Sequence, residues 1–257
     1  MEEHQIDIKR EMIHFLEIIA IPLIICILWQ VSTTKGWIKA SVLPAPAGVW
    51  DSAVSLNEKG LFWLDIGSSL SRILKGFLLG GTIGIIAGSL IGIFPFFDRI
   101  TKVFVAVFRP IPIISLIPIF ILWLGIGEES KIAVITIGTF WATLINTMDG
   151  IKSIDRKLVE MAQILGKNKW ETIRYIIFPY AFPAIYTGIR IAITASIGYV
   201  ITAEMIAASA GVGYRIMYAR NMAQPGIMFV GIIEIGLFGL LVDLLVLKLQ
   251  EKLFSYR

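Results

Sequence analysis

Hydrophobic positions along this chain neither alternate nor keep to one helical face. They come in long uninterrupted runs separated by short charged stretches. Crossing a hydrocarbon layer about 30 Å thick takes roughly 20 helical residues at 1.5 Å each, and six runs approach that length. The first, Phe15 to Val31, is interrupted by Glu17 and Gln30. Phe77 to Phe97 holds 21 residues without charge, Pro110 to Gly127 holds 18 and follows Val103 to Arg109, and Ile132 to Met148 holds 17. Tyr175 to Ala203 is broken only by Arg190, and Gly226 to Leu247 only by Glu234 and Asp243. Acids before the first run (Glu2, Glu3, Asp7, Glu11), with no small-residue cleavage site after it, argue for a retained span and against a removable signal. The pattern predicts an all-α polytopic membrane protein with six transmembrane helices. It divides the chain into a tail and first span (1–32), an outer segment (33–69), a five-span core (70–250) carrying a loop at 149–174, and a short tail (251–257).

Two local patterns refine that outline. Gly76, Gly80, Gly84, Gly88 and Gly92 recur every four residues in the second span, a smooth stripe that lets another helix approach closely in lipid. In the outer segment, Pro46 suits the first turn of a short helix lying along the membrane face.

Composition agrees: 56% of residues are hydrophobic and 16% charged, which excludes a disordered chain, a collagen and a water-soluble globule. The single cysteine, Cys26, lies in the first run, where it reads as a small hydrophobe that can form no intrachain disulfide. A net charge of +4 raises the question of nucleic acid, but Lys and Arg are scattered through the loops and form no patch, so no nucleic-acid partner is expected. Their distribution reports topology instead. With the N-terminus inside, thirteen basic residues fall on the inner face and six on the outer, which orients both termini to the cytosol.

The loop 149–174 carries the most local information. After Ser153 or Asp155, either a good N-cap, Leu158, Met161, Ala162 and Leu165 follow helical spacing and make one apolar face. Gly166 suits a left-handed helix end, and Asn168 with Glu171 three residues later has the form of a capping box. A short helix, a glycine turn and a second helix leading into the fifth span are predicted.

The spacing of that loop has a further content. Glu160-Met161-Ala162, three residues, Gly166, nine residues, then Ile176-Ile177-Phe178-Pro179 resembles the E-A-A-x3-G-x9-I-x-L-P segment of permease subunits of binding-protein-dependent ABC importers, with Met161 and Phe178 as departures. Arg109-Pro110-Ile111-Pro112, Ile117-Pro118, Leu122 to Glu128 with Lys131, Ala203-Glu204-Met205-Ile206 and Gly211-Val212-Gly213 resemble the branch importing taurine, alkanesulfonates, nitrate or bicarbonate, which also contains relatives serving vitamin precursors. The resemblance implies a type I importer fold in a prokaryotic cell membrane, with a cytosolic coupling helix formed by Leu158, Glu160, Met161, Ala162, Leu165 and Gly166. It also implies partners: two cytosolic ATPases, a second permease copy, an extracytoplasmic binding protein and the lipid bilayer. No G-x-x-x-x-G-K-[ST] phosphate loop occurs, so ATP and Mg are expected on the partner ATPase and no cofactor on this chain.

Charges inside the spans mark the remaining candidates. Arg109 lies beside Pro110, Pro112 and Pro118, which remove backbone donors and break helix, a state tolerated only against protein or a wet cavity. With Ser115 and Glu204 these residues are the pathway candidates. For Arg109 a structural ion pair and contact with an anionic substrate both stand open, as do an ion pair and a gating contact for Glu204. Arg190 is 14 residues before Glu204, about 21 Å along a helix, so the two cannot pair within one chain. A secondary transporter would show a repeat between halves, and none is seen. A membrane enzyme is disfavoured because His4 and His14 both lie near the N-terminus and no metal-ligand or nucleophile-base cluster appears, so no catalytic or metal-binding residue is expected.

Overall fold

The computed structural model describes residues 20–254. The start of the expected first span and both ends of the chain therefore lie outside the described residues. Helix α1, Ala20–Thr34, carries the rest of that span, and on it Cys26 is exposed, not buried. Among the described residues the chain forms helices and no strand: α2 (Pro46–Glu58), α3 (Leu61–Ile93), α4 (Pro95–Phe108), a 3-10 turn (Ile113–Leu116), α5 (Ile117–Leu124), α6 (Glu128–Lys152), α7 (Arg156–Ile164), α8 (Lys169–Thr172), a π turn (Ile173–Ile177), α9 (Phe178–Ala207), α10 (Val212–Asn221) and α11 (Pro225–Phe254). Four helical stretches are long and apolar enough to cross a membrane: α3, α6, the continuous run Lys169–Ala207, and α11. The pair α4 and Ile113–Leu124 makes a fifth only as a broken span, bent by 87°.

The second span differs most from its sequence window. Its helix starts at Leu61, well before Phe77, and stops at Ile93, short of Phe97. Proline explains the stop: Pro95 lacks an N–H and holds Phe94 extended (φ −110°, ψ 112°), so residues 95–97 open α4 instead. The early start is possible because Asp65, Ser69 and Arg72, polar residues that lie outside the charge-free window, are all buried among partners. At 33 residues α3 is about 50 Å long, well beyond a hydrocarbon thickness.

Two compact units are present. One takes the described residues up to Phe62 together with Ile216–Ile232. Its core is Val49, Leu56 and Val230, with Trp29, Phe62 and Phe229 packed against them. The Trp29 indole N–H donates to the Pro44 carbonyl at 2.8 Å, and Pro46 begins α2 as its missing donor allows.

The other unit, Trp63–Arg215 with the chain from Ile233 onward, holds the membrane core. Here the glycine stripe lies against a matching ridge on α6: Gly76 meets Ile135, Gly80 meets Thr139, Gly84 meets Thr143, Gly88 meets Thr147 and Gly92 meets Ile151. The constant offset makes α3 and α6 parallel neighbours in register. A β-carbon on Gly88 would fall 2.6 Å from the Leu144 carbonyl oxygen, so only glycine permits this approach. Thr139 Oγ1 donates to the Gly76 carbonyl at 3.2 Å, the kind of interhelical bond that replaces a hydrophobic driving force in lipid. Antiparallel to α6, α9 brings Tyr199 onto Gly138 and Ala184 onto Gly150.

Candidate functional site

The loop after α6 is built by local capping. Ser153 closes α6, and of the two candidate caps it is Asp155 that starts α7, its carboxylate accepting from the Lys157 N–H at 2.9 Å. Gly166 takes φ +72°, the left-handed value that ends the helix, while the Lys167 N–H donates to the Ala162 carbonyl at 3.0 Å. The Asn168 side chain and Glu171 then cap each other reciprocally, both bonds 2.9 Å. A π turn at Ile173–Ile177 follows, its widened backbone leading directly to Pro179, which has no N–H to give. The expected apolar stripe divides in two. Ala162 is buried and Leu158 half-buried, whereas Met161 and Leu165 are exposed, joined by Ile164 at 86% exposure. Glu160 is exposed as well. The stripe divides because the chain supports only one edge of it, that of Leu158, Val159 and Ala162.

The third span breaks where expected, but two of its residues are placed differently, Arg109 and Pro118. Arg109 is not deep inside a helix: it caps the C-terminus of α4 and is exposed, its N–H donating to the Val105 carbonyl at 3.0 Å. Pro110 and Pro112 occupy the non-helical break, and Ser115 folds back onto the Pro112 carbonyl through both its N–H (3.0 Å) and its hydroxyl (2.6 Å). Pro118, expected to break a helix, starts one. It sits in the first turn of α5, where its donor is not needed.

At the α10 end of this unit lies a buried polar cluster that the sequence reading did not assemble. The Glu204 carboxylate is fully buried and accepts from Ser69 Oγ (2.8 and 2.9 Å), Arg72 Nη1 (2.6 Å) and the Gly213 N–H (2.9 Å). Arg72 forks its Nε and Nη2 onto the Glu128 carboxylate at 2.6 and 2.7 Å, and its Nη1 also reaches the Ala210 carbonyl at 2.8 Å. Lys131 adds 3.0 Å to Glu128. Next to it, Asp65 accepts from Arg215 Nε (2.7 Å) and the Gly211 N–H (2.8 Å), and Ser69 Oγ accepts from the Val212 N–H (3.0 Å). Three carboxylates thus face three cations, and the α9–α10 connection is bound down onto α3. Gly211 closes this cluster at φ +122°, and a β-carbon there would lie 2.5 Å from the Glu204 oxygens. Arg215 and Lys131, two of the six basic residues counted on the outer face, are both partners in it. The overlooked signal was Asp65, Ser69 and Arg72 at i, i+4 and i+7, one polar face on an otherwise apolar helix.

Arg190 pairs with Asp243 at 2.9 Å, not with Glu204, and so supplies the protein neighbour that Asp243 needs.

These features define an all-helical membrane transport subunit: long apolar helices, a third span broken by prolines, and a short capped helix carried on a loop. The chain belongs to the family described as binding-protein-dependent transport system inner membrane component, whose model matches residues 80–255. It is 35% identical over 241 residues to the putative aliphatic sulfonates transport permease protein SsuC of Bacillus subtilis strain 168, covering 92% of this chain and 86% of that one. Its identity to the Escherichia coli K12 protein of the same name is 36% over 223 residues, 87% of this chain and 85% of the relative. In fold it is similar to the permease in an inward-facing structure of the MetNI methionine ABC transporter, with a TM-score of 0.55 at 19% identity, over 70% of this chain and 91% of that one.

Proposed function

We propose that this chain forms the translocation pathway of an ATP-driven importer for a small anionic nutrient of the sulfonate or taurine, nitrate or bicarbonate type, delivered by an extracytoplasmic binding protein. The observation that carries the substrate class is its similarity, 35% and 36% identical over about nine tenths of its length, to two permeases named for aliphatic sulfonates. Two cytosolic ATPases bind ATP and Mg, and a second copy of this chain completes the pathway. Both termini lie in the cytosol of a prokaryotic cell, which places α7 on the cytosolic side and the Arg72–Glu204 cluster on the outer side. The exposed apolar residues Met161, Ile164 and Leu165 support docking of α7 in a groove of the ATPase. Closure of the ATPase pair then moves the spans as rigid bodies to alternate access, while the Glu204 ion pair holds α3 and α9 together on the outer side.

Purification from native membranes tests this reading. The expected result is a retained ATPase and, after reconstitution with the binding protein, ATP-dependent uptake of an alkanesulfonate or taurine. Uptake driven by an ion gradient without an ATPase would make the chain a secondary transporter. ATP-dependent uptake of riboflavin or a thiamine pyrimidine, with none of any anion, would move the substrate to the vitamin class.

A further inference from the structure

On the α7 end of the membrane unit, α4 and α6 enclose an open groove of about 380 Å³. Its charges are asymmetric. Asp98 is the sole carboxylate lining it, and Lys152 at the end of α6 already occupies that carboxylate. Two further cations, Lys102 and Arg109, line the same groove, and among the described residues neither has an ion-pair partner. They are seven residues apart on α4, two helical turns, so both point to the same side about 10 Å from each other along the axis. The wall between them is apolar, made by Val105 and Ala106 with Ile91 and Met148 opposite. In the buried cluster at the α10 end Arg72, Lys131 and Arg215 each have a carboxylate within 3.0 Å, which Lys102 and Arg109 lack. Two accessible cations on one side of a groove with a single, already paired carboxylate raise the local concentration of anions there.

We infer that this groove binds an amphiphilic oxyanion: a tetrahedral –SO3 or –PO3 head group held by the Arg109 fork and the Lys102 ammonium, with its apolar tail against Val105 and Met148. Guanidinium offers two parallel N–H donors to such a head group and ammonium a point charge, so together they favour an oxyanion over a neutral solute of the same size. Two sources share that chemistry. One is the transported sulfonate leaving the helix break at Pro110 toward the α7 end, which rests on the function proposed above. The other is the phosphate of an anionic phospholipid, which does not.

The test uses the full chain within its importer complex, reconstituted with Cys26→Ala and a reporter cysteine, Ala106→Cys, between the two cations. The probes are the 2-sulfonatoethyl and 2-trimethylammonioethyl methanethiosulfonates, the first itself a short alkanesulfonate. The expected anionic-to-cationic rate ratio is about tenfold higher in the reporter chain than after Lys102→Gln with Arg109→Gln are added to it. Should Ala106→Cys fail to assemble, Val105→Cys reports from the same wall. An unchanged ratio after removal of both cations overturns the site. Given the enhancement, protection by hexanesulfonate in vesicles of phosphatidylcholine alone identifies the free anion. An enhancement suppressed by adding a quarter phosphatidylglycerol, with no protection by hexanesulfonate, identifies the lipid. Because labelling is read without transport, a complex that imports no sulfonate but shows the enhancement refutes the proposed substrate and keeps the groove.

Discussion

The two ends of the membrane unit treat charge in opposite ways. At the α10 end, Glu204, Arg72 and Asp65 are almost wholly removed from solvent, and each finds two or more hydrogen-bonding partners. At the α7 end, Lys102 and Arg109 stay accessible in a groove with one occupied carboxylate. A buried charge is tolerable only when its pairing and hydrogen bonds are complete, so the first arrangement is rigid by necessity and ties four helices and a loop together. An accessible, unpaired cation is free to meet something that arrives and leaves. The contrast separates groups that hold the permease in shape from groups that its cargo or its lipid can use.

The sharpest way to break this contrast is Glu204→Ala. It leaves Arg72 half-paired and orphans Ser69 and the Gly213 N–H, and should cost about 3–5 kcal/mol, seen as a large loss of membrane yield and of melting temperature in detergent. Arg109→Gln, by the same measurement, should stay within about 0.5 kcal/mol of the unmodified chain. Equal melting of the two variants would abolish the distinction between the ends.

A smaller effect sharpens the view of what lies between them. Gly80→Ala puts a methyl onto the Thr136 carbonyl and the Thr139 hydroxyl, with an expected loss of about 1–3 kcal/mol as α3 and α6 separate. Gly67→Ala, on the same helix but in open space, should instead gain about 0.5–1 kcal/mol from helix propensity. Thermal denaturation of the pair checks both signs, and destabilisation at Gly67 would show that α3 is not held by its stripe alone.

Local in its cost should be Gly166→Val, which forces a β-branched residue to φ +72° for about 1–2 kcal/mol, confined to the turn after α7. Its expected signature is functional: melting shifts little while transport per ATP hydrolysed drops. Unchanged coupling in this variant would remove α7 from the transmission path.

Much of this architecture could be read along the chain because it depends on neighbours in sequence. The break at Pro110 and Pro112, the left-handed Gly166 and the reciprocal caps of Asn168 and Glu171 are all consequences of what one or two adjacent residues allow their backbone to do. Even the glycine stripe announces that some helix lies against it. The α6 ridge that receives it was also present in the sequence, as Ile135, Thr139, Thr143, Thr147 and Ile151 every four residues, but β-branched spacing of this kind is common in apolar helices and points to no particular partner. Charge-free windows, by contrast, misjudged helix ends, because Asp65, Ser69 and Arg72 belong to α3 only by virtue of their distant partners.

By itself the sequence determined the apolar runs, the turns and caps between them, and the spaced segment from Glu160 to Pro179 that marks the family. Only the tertiary structure decided which charges meet. Arg72 and Glu204 are 132 positions apart, and nothing local to either selects the other over Glu234 or Asp243. It also decided which edge of the α7 stripe is covered and which faces outward, and which cations are left without a carboxylate. The physical reason is range: backbone sterics and capping act within a few residues, whereas an ion pair in a membrane is specified by two side chains reaching the same buried point, a coincidence that exists only once the helices have packed.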